Sequence, residues 1–204
     1  MIGIIDYGLG NLSAISNIYR GLGIPATFVS TDVEIKSVDK LILPGVGSFD
    51  GAMQCLEQNN LIDCLHHEVM INSKPILGIC VGMQIMALAS EEGQASGLGW
   101  VNATVKKFKP SKHQDKLRLP HMGWNTVKNV NGSLVFTGMQ DAKFYFLHSY
   151  YFQPVHADII IGTTHYGEKF ISSIRQKNIY GAQFHPEKSH DCGVKFLKNF
   201  ARYC

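Results

Sequence analysis

Two short stretches of this chain carry the side-chain types that can cleave an amide. The first is Gly78-Ile79-Cys80-Val81-Gly82-Met83-Gln84, where a thiol stands between glycines. The second is Gln183-Phe184-His185-Pro186-Glu187-Lys188-Ser189, where an imidazole and a carboxylate lie two residues apart. A cysteine attacks a carbonyl carbon as its thiolate. It needs a base to accept and return a proton, and a third group to fix the imidazole tautomer. Cys80, His185 and Glu187 supply those three types. Alone, a His-x-Glu pair reads as two surface side chains; beside the Cys80 stretch it completes a nucleophile–base–carboxylate set. A third stretch, Pro44-Gly45-Val46-Gly47-Ser48-Phe49, could aim backbone N–H groups of Gly45, Val46 and Gly47 at a developing oxyanion. The amide of Val81, directly after the nucleophile, would add a further donor. A plain glycine turn is the bland alternative for that third stretch.

Chemistry of this kind needs a scaffold that holds Cys80 outward. The apolar run Pro75–Ile79 predicts a strand, and the segment after Cys80 is compatible with a helix. A strand-to-helix turn that tight exposes the side chain at its apex. A helix N-terminus there would also favour thiolate over thiol.

The first half of the chain alternates. Ile2–Asp6, Ala26–Ser30 and Lys40–Leu43 read as strands. A helix from Asn11, its candidate cap, runs to about Leu22 and stops at Gly23. Residues 51–69 carry helical spacing through Met53, Leu56, Leu61 and Leu65. Such alternation predicts an α/β fold with a mostly parallel central sheet flanked by helices. In the second half, residues 99–109, 125–130, 143–152, 158–165, 170–175 and 179–184 are strand-like and predict additional antiparallel strands. A helix is expected over 194–203, with Val194, Leu197 and Phe200 on one side. The basic stretch Pro110–Lys116 reads as a mobile loop. No repeat and no shift in composition divides the chain, so residues 1–204 are read as one domain.

Composition excludes several classes. With 45% hydrophobic and 17% charged residues the chain suits a compact globule. No apolar run approaches the ~20 residues of a membrane span, and no secretory signal opens the chain. A net charge of +3, spread along the sequence, gives no reason to expect nucleic acid. Five cysteines without CxxC spacing predict neither a disulfide framework nor a zinc site, and fit a reducing cytoplasm. No metal or cofactor is expected. Gly8-Leu9-Gly10-Asn11 invites a dinucleotide reading, with Asp32 at the distance of a ribose contact, but Ser13 stands where a third glycine should. A turn at the sheet edge that carries Cys80 suits those residues equally well. His66 and His67 are helical neighbours that point apart, which argues against shared metal ligation. His121 and His148 lie in aromatic-rich segments and read as core packing, with a protein interface as the competing reading.

Taken together, the Gly78–Gln84 and Phe184–Glu187 segments resemble the class I, triad-type glutamine amidotransferases. The likeness narrows toward glutaminase subunits of imidazole glycerol phosphate synthases through Ile5–Asn11, Pro44–Gly47, Leu119-Pro120-His121-Met122-Gly123-Trp124-Asn125 and His185–Ser189. It runs from residue 2 to about residue 200. The resemblance implies a flavodoxin-like α/β glutaminase in which Cys80 is the nucleophile, His185 the base and Glu187 the orienting carboxylate. Gly45 to Gly47 with the Val81 amide would stabilise the oxyanion. Gln84, Glu92, Ser149 and Tyr150 would hold glutamine. Asn11, Trp124, Tyr145 and Lys188 would face a (β/α)8-barrel synthase subunit in a heterodimer. Val81 replaces a leucine frequent after the nucleophile, which leaves its amide unchanged. Paralogues that supply ammonia for amidination of surface-polysaccharide sugar nucleotides share these motifs. A stand-alone Cys–His–Glu amidase or peptidase is the alternative of another class.

Overall fold

The computed structural model describes residues 1–109, 117–130, 132–140 and 142–204; the basic stretch Pro110–Lys116 lies outside them. Among the described residues, twelve strands form one sheet system: β1 (Ile2–Ile5), β2 (Ala26–Val29), β3 (Lys40–Leu43), β4 (Ile76–Ile79), β5 (Ala89–Ser90), β6 (Ala103–Lys107), β7 (His121–Asn129), β8 (Ala142–His148), β9 (Tyr150–Pro154), β10 (Ile160–Tyr166), β11 (Glu168–Gln176) and β12 (Ile179–Ala182). The helices are α1 (Leu12–Gly21), α2 (Asp32–Ser37), α3 (Phe49–Gln58), α4 (Ile62–His66), α5 (Val81–Gln84) and α6 (His190–Tyr203). The main path runs β2-β1-β3-β4-β12-β11-β10-β7-β8. Its first five strands are parallel, in the doubly wound order of flavodoxin-like sheets. The pairs from β12 to β8 are antiparallel.

The inner parallel strands are short apolar runs because both of their faces are covered, while the edge strand β2 is half-exposed. Every residue of β1, β4 and β12 is buried. Truncating one such side chain, as in Leu77→Ala, should cost ~2–5 kcal/mol in transfer and cavity energy. The helices supply the cover: Ile15 and Tyr19 of α1, and Phe196, Leu197 and Phe200 of α6, face inward. The Tyr19 hydroxyl donates to the Leu197 carbonyl (3.2 Å), tying α1 to α6.

Several expectations need correction. The segment 179–184, expected among the antiparallel strands, pairs antiparallel with β11 on one side but in parallel with β4 on the other, Ile79 opposite Ala182. Its uninterrupted burial is the signature of that central position. The helix expected over 51–69 breaks at Asn59 and Asn60, where Asn59 Nδ2 donates to the Cys55 carbonyl (2.8 Å) and Asn60 takes φ +55°. The strand expected over 143–152 divides at Ser149 into β8 and β9. Asn11 stands at the start of α1 but makes no side-chain cap bond. Helix α6 begins at His190, four residues early, because its first turn packs against the Pro186–Lys188 turn. A Cβ on Gly193 would collide with the Pro186 carbonyl, so glycine there serves packing and does not stop the helix. Helix α2 was missed altogether. Its signal is a capping box in which the Thr31 hydroxyl accepts from the Glu34 amide (3.4 Å) and Glu34 accepts from the Thr31 amide (3.1 Å). Asp32 belongs to that helix and pairs with Lys36 (3.8 Å).

Candidate active site

Cys80 sits at the carboxyl end of β4, where ligand sites of open α/β sheets gather. Its backbone is strained, with φ +54° and ψ −112°. A non-glycine residue holds that conformation only when its surroundings over-determine it. Here they do: the Cys80 amide donates to the Ala182 carbonyl (2.7 Å), while its own carbonyl accepts from Met83 and Gln84 (both 3.1 Å). Close approach of the elbow to the neighbouring strand demands glycine at 82, since a Cβ there would collide with the Leu43 carbonyl. The helix after the elbow is a single turn, Val81–Gln84. The aligned dipoles beneath the sulfur are therefore fewer than the sequence suggested.

The β4–β12 pairing brings the second stretch alongside. The chain leaves β12 three residues before His185, whose amide donates to the Tyr145 carbonyl of β8 (2.9 Å). The Ser189 hydroxyl locks the turn that follows. It donates to the His185 carbonyl (2.5 Å) and accepts from the Tyr145 amide (3.0 Å). His185 Nδ1 bonds Glu187 Oε1 (2.9 Å), and both side chains are buried. Glu187 Oε2 is buried without a partner, so the carboxylate's bonding is directed at the imidazole. Burial pulls the His185 pKa down, but the neighbouring Cys80 sulfur and the bonded Glu187 carboxylate outweigh it and raise the pKa well above the ordinary histidine value. The imidazole is thus built to keep a proton beside the sulfur.

Around the sulfur lies a cleft of about 270 Å³. Drug-sized ligands occupy pockets of ~300–1,000 Å³, so this one suits an amino-acid-sized molecule. Val46, Gly47 and Val81 form one wall, whereas Gly45 lies behind it, packed on the elbow backbone. Gln84, Glu92, Ser149 and Tyr150 also line the cleft, as does Lys188. Glu92 Oε2 also accepts from the Phe49 amide (2.9 Å), anchoring the residue at which the Pro44–Ser48 loop becomes α3. Tyr7 supports that loop from behind, its hydroxyl donating to the Pro44 carbonyl (2.7 Å). A Cβ on Gly10 would touch Pro44, which places the Gly8–Asn11 turn at the same sheet edge.

Of the four residues expected to face a partner, Lys188 is exposed, Trp124 is 48% exposed, and Asn11 and Tyr145 are half-buried. Trp124 and Tyr145 are opposite each other in the β7–β8 pair, and Lys188 lies 5.9 Å from the Tyr145 ring. Met122 and Leu147, also opposite each other, extend this face and are exposed. His121 and His148 point the other way and are buried, as core packing requires.

Two residues at the site are given no role in it by the sequence. Gln183 Nε2 lies 3.8 Å from Cys80 Sγ, and Gln183 Oε1 accepts from Gln84 Nε2 (3.0 Å). His148 lines the cleft and bonds the Tyr150 carbonyl through Nδ1 (2.7 Å). Gln183 opens the Gln183–Ser189 motif, and its place directly after a buried strand is the available signal. Among the described residues, no cluster of three or more His, Cys, Asp or Glu could hold a metal ion, and no helix is long and apolar enough to cross a membrane.

Comparison with known proteins agrees with this geometry. The chain is 46% identical over 202 residues to the imidazole glycerol phosphate synthase subunit HisH of Bdellovibrio bacteriovorus, covering 98% of this chain and 99% of that one. It is 45% identical over 203 residues to subunit HisH 2 of Methanococcus maripaludis, covering 99% of each. Its fold is similar to that of PurLQS from Thermotoga maritima, with a TM-score of 0.76 at 16% identity over 99% of this chain and 97% of that one. A crystal structure of a glutamine amidotransferase superposes with a TM-score of 0.74 at 18% identity, covering 98% of each chain. The family model for class-I glutamine amidotransferases matches residues 3–203, and the chain belongs to that family.

Proposed function

We propose that this chain is the glutaminase subunit of an imidazole glycerol phosphate synthase, with residues 1–204 acting as one catalytic domain in the cytoplasm. The observation that carries the reading is the His185–Glu187 pair, bonded at 2.9 Å, with Cys80 and His185 lining the same amino-acid-sized cleft. The names of the relatives at 45–46% identity support the pathway.

In this reading Gln84, Glu92 and the Ser149–Tyr150 backbone hold glutamine with its side-chain amide over the sulfur. The Cys80 thiolate attacks the amide carbon and a tetrahedral oxyanion forms. Val81 N–H and the Val46–Gly47 segment of the glycine loop, which Gly45 supports from behind, receive that charge; one such donor is worth ~3 kcal/mol. His185, holding a proton beside Cys80 and Glu187, passes it to the departing nitrogen. Ammonia leaves and a thioester remains. A water deprotonated by His185 then cleaves the thioester, glutamate departs and the thiolate returns. No metal or cofactor enters the scheme.

Ammonia is useful to a synthase only while neutral and unlost, so a dry passage into a partner is required. The exposed Met122, Trp124 and Leu147 and the half-buried Tyr145, with Asn11 and Lys188, suit docking of a (β/α)8-barrel subunit in a heterodimer. The test is to mix the purified chain with a candidate barrel subunit and its acceptor nucleotide. Glutamine should drive formation of imidazole glycerol phosphate. With Cys80→Ala only ammonium salts should do so. A complex that instead amidinates a sugar nucleotide would move the chain to the paralogous pathway, and hydrolysis of peptides with no glutaminase activity would defeat the reading.

A further inference from the structure

The inner face of the β7–β8 ribbon contains a line of hydrogen bonds that the chemistry above does not use. His148 Nδ1 lies 2.7 Å from the Tyr150 carbonyl oxygen. A carbonyl only accepts, so Nδ1 of His148 carries a proton. His148 Nε2 lies 3.0 Å from His121 Nδ1. With His148 neutral, its Nε2 accepts and His121 Nδ1 donates. His121 Nε2 then accepts from Asn125 Nδ2 (3.2 Å), which also donates to the His165 carbonyl (2.9 Å). Asn125 Oδ1 accepts from the Thr126 amide (2.8 Å). Every ring nitrogen is paired when both imidazoles are neutral and carry the proton on Nδ1.

The surroundings impose that state. His121 is stacked between Phe146 (4.8 Å) and Tyr166 (4.0 Å), and His148 packs against Phe108 (5.4 Å) and Phe170 (5.2 Å). Burial lowers the pKa of His121 to about 4 and that of His148 to about 3. The charged groups that act on His148 are His121 and His185, both further opposing its protonation. The pair therefore does not titrate near neutrality, and its donors stay fixed while His185 exchanges its proton.

The Tyr150 carbonyl receives a second donor, Gln84 Nε2 (3.1 Å). Two directed bonds from two different elements fix a peptide plane that one would leave free to rock. That plane is part of the cleft wall opposite Cys80. We propose that His121 and His148 form a neutral positioning pair that sets the Tyr150 carbonyl, and with it the Ser149–Tyr150 wall of the substrate cleft, through a hydrogen-bonded line anchored at Asn125. Neither imidazole touches the reacting atoms. The proposal rests on the glutaminase reading of the cleft and adds what holds its substrate wall.

The experiment combines two substitutions with one measurement on the unaltered protein. In His148→Phe, kcat/KM for glutamine should fall about 10- to 100-fold, mainly through KM, as expected for a wall displaced by a fraction of an ångström. Alkylation of Cys80 by iodoacetamide, followed on its own peptide by mass spectrometry, should keep its rate. His148→Asn puts an amide N–H where Nδ1 stood and should recover most of the loss. Wild-type kinetics in His148→Phe, equal damage in His148→Asn, or alkylation slowed by the same factor would overturn the proposal. Should the phenylalanine variant fail to fold, nitrogen-15 imidazole spectra of the wild type still decide. Both rings should be neutral Nδ1–H tautomers that do not titrate between about pH 5 and 8, and an Nε2–H tautomer or a titration in that window overturns the pair. Wild-type protein without glutaminase activity would defeat the proposed function alone, because the spectra read the pair directly.

Discussion

The five parallel strands and the β7–β8 ribbon are built from different patterns and carry different parts of the site. The inner parallel strands β1, β4 and β12 are buried on both faces, so their sequences are apolar without alternation, and only the edge strand β2 is open to solvent. They hold the backbone of Cys80 in a strained conformation by close approach of Gly82 to β3. The ribbon alternates. Along β8, Ala142, Phe144, Phe146 and His148 are buried while Lys143 and Leu147 are exposed. Its inner face reaches the substrate wall through His148 and its outer face presents Trp124, Tyr145, Met122 and Leu147. A sheet buried on both sides can aim a nucleophile but has no free surface. A half-buried ribbon can be read from outside and still touch the cleft. On this comparison, changes in the parallel strands should damage chemistry, whereas changes in the ribbon should damage substrate hold and docking.

The largest effect should come from Cys80→Ala, which removes the nucleophile from the parallel side. Glutamine hydrolysis should fall on the order of 10⁵- to 10⁶-fold, with an unchanged circular dichroism spectrum; measurable turnover at a tenth of the wild-type rate would break the comparison. Glu187→Gln comes next. Loss of the carboxylate that orients His185 should lower kcat by about 10³- to 10⁴-fold with little change in KM, measured by glutamate release under saturating substrate. Gly82→Ala tests the scaffold itself. The Leu43 carbonyl leaves no room for a Cβ, so thermal unfolding should show a loss of ~1–3 kcal/mol or more; a neutral result would mean that the elbow is not held by that approach. On the ribbon's outer face, Trp124→Ala should alter stability by less than ~1 kcal/mol. It should weaken association with the barrel subunit by ~2 kcal/mol in calorimetry.

The smallest effect concerns pH. The Cys80 sulfur and the bonded Glu187 carboxylate hold the folded-state pKa of His185 above its unfolded value despite burial. The stability this gives is fully present below about pH 6.5, the ordinary value. It is lost as pH rises from there through the raised folded-state value. Urea midpoints should therefore decline over that alkaline window in the wild type and decline less in Glu187→Gln. Equal slopes would remove Glu187 from the group that keeps His185 charged.

Much of this architecture could be read from residue order. Strands β1 to β4 follow from apolar runs bounded by turn residues, and the elbow follows from a cysteine between glycines at the end of such a run. The His185–Glu187 contact is two residues long and needs only a turn that Pro186 stiffens. Misreadings came where a pattern had two uses. Residues 179–184 look the same as an antiparallel edge or a central parallel strand, because period and burial are set by neighbours. The Thr31–Glu34 capping box was legible and passed over.

What the sequence determined alone is therefore local: which side chains exist, where the backbone must bend sharply, and which runs must leave water. Tertiary structure decided which of them meet. Cys80 reaches His185 only because β4 and β12 lie side by side in parallel, and parallel pairing has no short turn to announce it. His121 and His148 become a hydrogen-bonded pair only because the register of β7 on β8 sets them opposite each other. Register shifted by one residue would turn both out toward solvent, and nothing in the spacing of two histidines says which face they take.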